Sequence, residues 1–201
     1  MNNKERMLAG LPYKASLGGL PKEQDRNKLK IYRYNHRLPF GFFKLYSLLK
    51  RILGKVGKNV TILAPFHCDY GKNIEIGDNF MANYNLVILD AAKVIIGNNV
   101  LLGPNVSIYT AGHPIFPESR RTEYQYAIEI TIGNDVWIGG NVVINPGVHI
   151  GNNVVVGSGS VVTRDIPDSV VAVGNPCRVM RPITEADRPY YFKDKKFDIV
   201  L

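Results

Sequence analysis

The sequence predicts a mainly β protein built around a parallel β-helix, and three regularities indicate this class. An aliphatic residue returns at every sixth position, a glycine often follows it, and valine often occurs four positions after it. A period of six fits neither the 3.6-residue period of an α-helix nor the alternation of a simple strand. It fits a short strand and a turn, stacked coil upon coil. The aliphatic positions are Ile96, Leu102, Ile108, Ile132, Ile138, Ile144, Ile150, Val156 and Val162.

The repeat begins earlier and is interrupted twice. Ile76, Ala82 and Ile88 follow the same spacing, and a slip of two residues near Asp90 precedes Ile96. The second interruption spans 24 residues from Ile108 to Ile132, a multiple of six, so the phase is kept. Residues 114–127, "PIFPESRRTEYQYA", form a polar and aromatic loop that is too long and irregular for a coil turn. We therefore expect this loop to project from a coil corner beside His113.

The repeat divides the chain into three expected parts. Residues 1–58 form an N-terminal helical segment, residues 59–166 the β-helix with its loop, and residues 167–201 a C-terminal extension packed on the β-helix. Within the first part, "FGFFKLYSLLKRILGKVG" places an apolar stripe on one helix face. The stripe consists of Phe42, Leu45, Leu49, Ile52 and Val56.

Composition limits the class of protein. The 201 residues, 45% hydrophobic and 21% charged, suit one globular domain. No apolar run is long enough to span a bilayer, and the N-terminus lacks the apolar region of a signal peptide, so we expect a cytoplasmic protein. Cys68 and Cys177 are expected to be reduced thiols.

The positive charge is concentrated near the N-terminus. Residues 1–60 hold 14 Lys or Arg against 3 Asp or Glu, whereas residues 61–201 hold 11 against 14. Such a segment fits an anionic partner or a solvated helical face. Its stretch "KLYSLLKRILGKVGK" fits peripheral contact with an anionic membrane, but we favour a helix packed on the β-helix with its lysines in water. Nucleic-acid binding is disfavoured because no recognised binding motif accompanies the charge.

Several motifs make the chain resemble one family. They are "ERMLAG", "YNH" at 34–36, "CDYGKNIEIGDNFMANYN", "GHP" at 112–114, "VWIGGNVVINPGV", "VVTRDIPD" and "GNPCRV". Together they are similar to the maltose/galactoside O-acetyltransferase group of the hexapeptide-repeat acetyltransferases. The resemblance implies a homotrimer of left-handed β-helices. It also implies acetyl transfer from acetyl-CoA to a hydroxyl of a small-molecule sugar acceptor, in active sites between subunits.

The resemblance implies that His113 is the general base. An imidazole ordinarily has a pKa of about 6.5 and can accept the hydroxyl proton as the oxygen attacks a thioester. Asn83 would lie near the acetyl group, and the backbone N–H of Gly140 would stabilise the oxyanion. The other histidines, His36, His67 and His149, have no partners at metal-ligand spacing. A three-histidine zinc site is therefore disfavoured, and no metal is expected.

The resemblance also implies the residues that bind acetyl-CoA and the acceptor. For acetyl-CoA these are Asn83, Gly140, Ser158, Thr163, Arg164, Arg178 and Arg181, and each arginine is alternatively a solvated surface charge. Asp69, Asn83 and Trp137 would contact the acceptor, with Trp137 at a subunit boundary or in the core. Ala15 and Ala91 stand where the galactoside enzymes have aspartates, so the acceptor need not be a galactoside. The alternatives are an acetyltransferase for a non-sugar hydroxyl, such as that of an antibiotic, and a non-catalytic trimeric scaffold.

Overall fold

The computed structural model describes residues 1–36 and 42–199, apart from the side chains of residues 42–44. The first elements are helical. Helix α1 (Asn3–Leu8) is capped by Asn2, whose side chain accepts a hydrogen bond from the backbone N–H of Glu5. A short strand β1 (Tyr13–Lys14) precedes helices α2 (Leu20–Asn35) and α3 (Phe42–Ile52).

Short strands then follow in groups of three, one group to each coil. The first three coils contain β2 (Lys55–Val56), β3 (Thr61–Ile62), β4 (Phe66–Cys68); β5 (Ile74–Ile76), β6 (Met81–Ala82), β7 (Leu86–Leu89); β8 (Val94–Ile96), β9 (Leu101–Leu102) and β10 (Ser107–Tyr109). An arm follows, made of β11 (Ala111–Gly112), α4 (Pro117–Arg121) and β12 (Tyr124–Ala127). The later coils contain β13 (Ile130–Ile132), β14 (Trp137–Ile138), β15 (Val143–Ile144), β16 (His149–Ile150), β17 (Val155–Val156) and β18 (Val161–Val162). The C-terminal elements are β19 (Val170–Val173), β20 (Arg178–Pro182), a 3-10 helix (Glu185–Asp187), β21 (Tyr190–Phe192) and β22 (Lys195–Lys196).

The coils stack into a prism with three parallel sheets. Face 1 has the order β16-β13-β8-β5-β2, face 2 has β19-β17-β14-β9-β6-β3, and face 3 has β18-β15-β10-β7-β4. Strand β20 continues face 2 but runs antiparallel to β19. The predicted class, a mainly β parallel β-helix with N-terminal helices and a projecting loop, is confirmed.

The aliphatic repeat forms the core. Ile76, Ile96, Ile132 and Ile150 are in register on successive strands of face 1, and each is buried. Equivalent columns descend inside faces 2 and 3. A single coil has no second layer to cover its aliphatic residue, so burial depends on the stack. The interior is therefore one continuous apolar cluster along the prism.

The slip near Asp90 has a structural cause in the corner between faces 3 and 1. The chain takes eight residues from Ile88 to Ile96, whereas it takes six from Ile144 to Ile150. Equivalent positions are therefore 20 residues apart in the early coils and 18 in the later ones. The additional residues widen this corner beside His113.

Asparagines make the turns between faces possible. Asn79, Asn99, Asn105 and Asn141 have φ between 56° and 59°, in the left-handed region that most residues avoid. Asparagine tolerates this conformation better than most side chains. Some of these side chains also bond to one another along the stack, as Asn79 Nδ2 does to Asn99 Oδ1 at 2.9 Å. The left-handed backbone at these turns therefore explains why the repeat has asparagine there.

The N-terminal helices cover one end and one edge of the prism. Leu49 and Ile52 of α3 are buried against the core, and Leu45 is partly buried there. The predicted stripe was wrong at its end, because α3 stops at Ile52 and Val56 already belongs to β2 of the first coil. The predicted stripe position Phe42 has its side chain outside the described residues. Among the described helices, none is long and apolar enough to cross a membrane.

Residues 114–127 contain more structure than a loop. Strands β11 and β12 pair with each other, and β12 also pairs with β1 from the N-terminal segment, both antiparallel. Because Ala127 returns beside Ala111, the arm leaves and rejoins the prism at one corner. The arm and the N-terminal segment thus form a small separate sheet, in which Tyr13 of β1 and Ala127 of β12 are fully buried.

Candidate active site

A cavity of about 390 Å³ lies at the corner that follows face 3, which we call the His113 corner. Asp69, Leu89 and Tyr109 line it from consecutive coils, since they follow Cys68, Ile88 and Ile108 in register. His113 lines it from the arm, and Tyr13 from the N-terminal segment. The structure thus brings two predicted site residues, His113 and Asp69, into one cavity.

The base of the arm positions His113. Gly112 pairs with Tyr126, and a Cβ added at Gly112 would overlap the Tyr126 ring. Glycine therefore leaves room for the Tyr126 ring directly before the histidine, which gives the "GHP" motif a packing reason. The His113 side chain is exposed and makes no hydrogen bond within the described part of the chain. Its ring is held by the arm and remains open to a ligand in the cavity.

Asp69 is a partly buried carboxylate without a hydrogen-bond partner among the described residues. Burial raises its pKa, and the positive charge of Lys28 opposes that shift. A carboxylate in this state can accept hydrogen bonds from hydroxyl groups of a bound molecule. Ala15 and Ala91 line the same cavity with methyl groups, which accept none. Among the residues that line this cavity, only Asp69 has a carboxylate that can accept hydrogen bonds.

Residues not anticipated from the sequence complete the cavity wall. Tyr13 Oη accepts a hydrogen bond of 2.7 Å from Gln125 Nε2, which ties the arm to the N-terminal segment. Burial is the main cause that raises the pKa of Tyr13 to about 12. This contact joins residues 112 positions apart in sequence. No local motif signals it, because it depends on the pairing of β1 with β12.

Beneath the cavity, Asp90 occupies the widened corner. It is fully buried, and its Oδ1 accepts a hydrogen bond of 2.9 Å from the backbone N–H of Tyr70. Its Oδ2 is buried without a partner among the described residues. Burial is the main cause that raises the pKa of Asp90 to about 7, opposed by the Tyr70 hydrogen bond. The two-residue slip in the repeat was the only sequence signal for this corner.

Other predicted site residues lie at a second corner, which follows face 2 and which we call the Asn83 corner. Asn83 comes directly after Ala82, and Gly140 and Ser158 come two residues after Ile138 and Val156. The backbone N–H of Gly140 makes no hydrogen bond to any described residue. On the same face, β19 pairs with β17, and Val173 at the end of β19 pairs with Arg178 of β20. The Asn83 corner therefore offers an amide donor, a hydroxyl and a cation along one edge.

Trp137 lies on the outer surface of face 2 with 56% of its surface exposed. The alternative that places it in the core is therefore wrong. Its neighbour in register on β9, Leu101, is 50% exposed. Together they form an apolar stripe on the outside of the prism.

The remaining predicted residues have separate surroundings. Thr163 and Arg164 follow β18 on the His113 corner, three coils away from Leu89 in the stack, and both are exposed. Arg181 forms an ion pair with Asp187 at 2.8 Å and donates to it again at 2.9 Å. Its guanidinium is thus already engaged by a carboxylate in this chain. Within the described residues, no three His, Cys, Asp or Glu side chains gather in a metal-binding group.

Two family models match the chain. One, "Bacterial transferase hexapeptide (six repeats)", matches residues 129–164, and the other, "Maltose acetyltransferase hexapeptide capping motif", matches residues 6–57. A galactoside O-acetyltransferase of Escherichia coli K12 is 49% identical over 194 residues, which is 96% of both chains. Nodulation protein L of Rhizobium meliloti is 46% identical over 176 residues, 88% of this chain and 96% of that protein.

Solved structures give the same result. A galactoside acetyltransferase in complex with coenzyme A superimposes with a TM-score of 0.96 at 48% identity, covering 99% of this chain and 100% of the other. A maltose O-acetyltransferase from Clostridium difficile 630 gives a TM-score of 0.90 at 48% identity, covering 92% and 99%. The family predicted from the sequence motifs is confirmed: this chain belongs to the hexapeptide-repeat acetyltransferases, in the maltose and galactoside O-acetyltransferase group.

Proposed function

We propose that the protein transfers an acetyl group from acetyl-CoA to a hydroxyl of a sugar. The observation that carries this proposal is the cavity in which the His113 imidazole and the Asp69 carboxylate face the same space. Family membership supports it, as do the relatives named as galactoside and maltose O-acetyltransferases and the relative solved with coenzyme A. Acetyl-CoA supplies the activated acyl group as a thioester.

In the proposed reaction, the residues of this chain move one proton and stabilise one charge. His113 accepts the proton of the acceptor hydroxyl while its oxygen bonds to the thioester carbonyl carbon. The Asn83 side chain and the Gly140 N–H donate to the developing oxyanion. When the carbon–sulfur bond breaks, His113 returns the proton to the departing thiolate. Asp69 orients the acceptor by accepting hydrogen bonds from its other hydroxyls.

The edge at the Asn83 corner fits an extended cofactor arm. A Cβ at Gly103 would lie 2.5 Å from the Gly140 nitrogen, and one at Gly139 would lie 2.6 Å from the Ser158 nitrogen. These glycines keep the stacked backbones close together at an edge where Gly140 is partly exposed and Ser158 is exposed. Arg178 adds positive charge for a phosphate. We propose that Thr163 and Arg164 contact the cofactor from the other side, and that Arg181 does so after exchanging Asp187 for phosphate.

We also propose that the protein is a homotrimer, in which the His113 corner of one subunit faces the Asn83 corner of the next. The proposal rests on the separation of the two groups of site residues on one chain, since the His113 cavity is lined by neither Asn83, Gly140 nor Ser158. The exposed stripe of Trp137 and Leu101 beside the Asn83 corner supports it, because such stripes are often covered by a partner. Trp137 would then contact the acceptor at the boundary. A cytoplasmic location fits this reaction, which uses acetyl-CoA.

The direct test replaces the proposed base. The variant His113→Ala should lose about 10²–10⁴-fold in kcat, since this is the usual contribution of a positioned general base. His113 is exposed and makes no hydrogen bond to a described residue, so its removal should leave the fold and oligomeric state unchanged. Thiol release from acetyl-CoA with a panel of sugars gives kcat, and light scattering gives the oligomeric state. His149→Ala, on face 1, is the matched control and should keep full activity.

A different acceptor class is favoured by one observation, the methyl groups of Ala15 and Ala91 in the cavity. Replacing a carboxylate by a methyl group removes recognition of a polar acceptor group. A panel that includes non-sugar hydroxyl compounds therefore belongs in the same assay. Full activity of His113→Ala would contradict the proposed mechanism, and failure to bind acetyl-CoA would favour a non-catalytic scaffold.

A further inference from the structure

A second cavity, of about 160 Å³, lies between α1, α2 and the widened corner of the early coils. The side chain of Tyr70 lines this cavity and also the His113 cavity, so it forms part of the wall between them. Neither the family resemblance nor the proposed reaction gives this second cavity a role. We call it the Arg26 cavity.

The Arg26 cavity is strongly basic. Four cations and one carboxylate line it, namely Lys4, Arg26, Lys30, Lys72 and Glu23. Lys4 Nζ bonds to both Glu23 oxygens, at 2.8 and 2.7 Å, so the single acid is already paired. Arg26, Lys30 and Lys72 form no ion pair within the described residues. The cavity therefore carries about three uncompensated positive charges.

Lys30 and Lys72 are held in place by backbone carbonyls at the C-terminal end of α3. Lys30 Nζ donates to the Arg51 carbonyl at 3.3 Å, and Lys72 Nζ donates to the Leu53 carbonyl at 2.7 Å. Each ammonium has three N–H donors, so further donors remain for a ligand. Burial lowers the pKa of Lys72, and the nearby charge of Lys30 lowers it further. The two ammonium groups thus repel each other in the absence of an anion.

The cavity also has a fixed framework. Glu23, Arg26 and Lys30 follow one another at intervals of three and four residues on α2, which places them along one face of the helix. Between them, the buried Asn27 donates from Nδ2 to the backbone carbonyls of Cys68 at 3.3 Å and Asp69 at 3.2 Å. These bonds hold α2 against the coil corner. The cationic side chains therefore line a cleft between α2 and the coil corner, in which Lys4 and Lys30 are partly buried and Arg26 and Lys72 are exposed to solvent.

We propose that the Arg26 cavity binds a phosphate group. A guanidinium presents paired donors that match phosphate oxygens, and the two ammonium groups add point charges on the other side. The volume holds several waters, since one water needs only about 10–15 Å³ of such space, so a tetrahedral oxyanion can displace them. A dianion would neutralise most of the local charge excess. Free phosphate and a phosphate ester, such as a phosphorylated sugar, both present this group.

The test is calorimetric titration of the full-length protein with inorganic phosphate, in chloride buffer at constant ionic strength. We expect saturable binding of one phosphate per chain. Titrations with glucose 6-phosphate and with glucose distinguish the source. Tighter binding of glucose 6-phosphate than of inorganic phosphate assigns the site to phosphate esters, and equal or weaker binding assigns it to the free anion. Since neutral glucose lacks the phosphate group, it should not compete with inorganic phosphate.

Three variants locate the binding. Arg26→Gln and Lys72→Gln should each weaken phosphate binding by about tenfold or more, since each removes charge-assisted hydrogen bonds. Lys22→Gln is the matched control, because Lys22 is exposed like Arg26 and Lys72 and carries the same charge on α2, but does not line the cavity. It should change affinity less than about twofold, as expected for a screened surface charge. Thermal unfolding in chloride checks that all three remain folded.

Two results would overturn the proposal. One is an absence of saturable phosphate binding to the parent protein beyond the response to chloride. The other is equal weakening by Arg26→Gln, Lys72→Gln and Lys22→Gln, which would indicate a general response to net charge. Because none of these residues belongs to the proposed acetyl-transfer machinery, either result leaves the proposed acetyltransferase function unaffected.

Discussion

At the scale of single residues, Asp90 shows how burial raises the pKa of an aspartate that takes no part in the proposed reaction. Its pKa in the folded protein is about 7, against 3.8 for an unperturbed aspartate. Between these pH values the folded chain binds more protons than the unfolded chain, so stability should fall as pH rises from about 4 to about 7. Above pH 7 both states are ionised at this position, and the loss should level off.

The variant Asp90→Asn tests this dependence. Asparagine keeps an oxygen for the Tyr70 N–H but cannot ionise. Relative to the parent, the variant should gain up to about 1.4 kcal/mol per pH unit across this window. Urea unfolding of both proteins from pH 4 to pH 8 measures the difference. Asp25→Asn, at an exposed position of α2, is the control and should follow the parent curve; parallel curves for Asp90→Asn would contradict an elevated Asp90 pKa.

The site residues that lie in recognisable local motifs could be predicted from the sequence, and those placed by contacts between distant segments could not. His113 could be selected because "GHP" interrupts a regular repeat, and Asp69 because the motif that contains it resembles the family. Tyr13 and Gln125 could not, since their contact joins distant segments through a three-stranded sheet that has no periodic signal. The charge state of Asp90 was equally hidden, because desolvation depends on the finished fold.

At the scale of elements, the turns between faces depend on residues that accept a left-handed backbone. Asn141 has φ of 58° and no side-chain hydrogen bond to a described residue, so it isolates this effect. The variant Asn141→Ala should lose about 1 kcal/mol of unfolding free energy, because a Cβ in this region is strained. Asn141→Gly should stay within about 0.5 kcal/mol of the parent, since glycine adopts this conformation freely. Chemical denaturation provides both values, and equal losses would show that the left-handed turn is not the cause.

Elements were predicted well where one period governed many residues and poorly where several weak patterns met. The strands of the coils follow from an aliphatic column that the stack must bury. The end of α3 was misplaced because Val56 continues the helical stripe and also begins the first coil. The arm was read as irregular because α4 has five residues and β12 has four, too few to show a period.

At the scale of the whole molecule, the two groups of proposed site residues lie on different corners, and this predicts complementation between subunits. His113→Ala and Asn83→Ala should each be inactive alone. When the two chains are co-expressed and assemble at random, about one quarter of the sites should contain both an intact His113 and an intact Asn83 from neighbouring subunits. The measurement is kcat per subunit of the purified mixed oligomer.

A control separates this result from residual activity. The double variant His113→Ala/Asn83→Ala, mixed with parent chains in equal amounts, should also keep about one quarter of the sites if each site takes one residue from each of two subunits. If both residues came from one subunit, that mixture would keep about half of its activity, and the two single variants would not complement. Such a pair of results would contradict the proposed arrangement.

The arm that follows β10 lies outside the stack of coils, so the prism does not depend on it for its register. Since it departs and returns at one corner, and the coils before and after it stay in register, its length and composition are free to differ without disturbing the aliphatic columns. The constraint on the arm comes instead from the N-terminal segment, because β12 pairs with β1 and Gln125 donates a hydrogen bond to Tyr13. An engineered graft that exchanges the arm together with its β1 partner strand should accordingly alter acceptor preference while leaving the melting of the prism nearly unchanged.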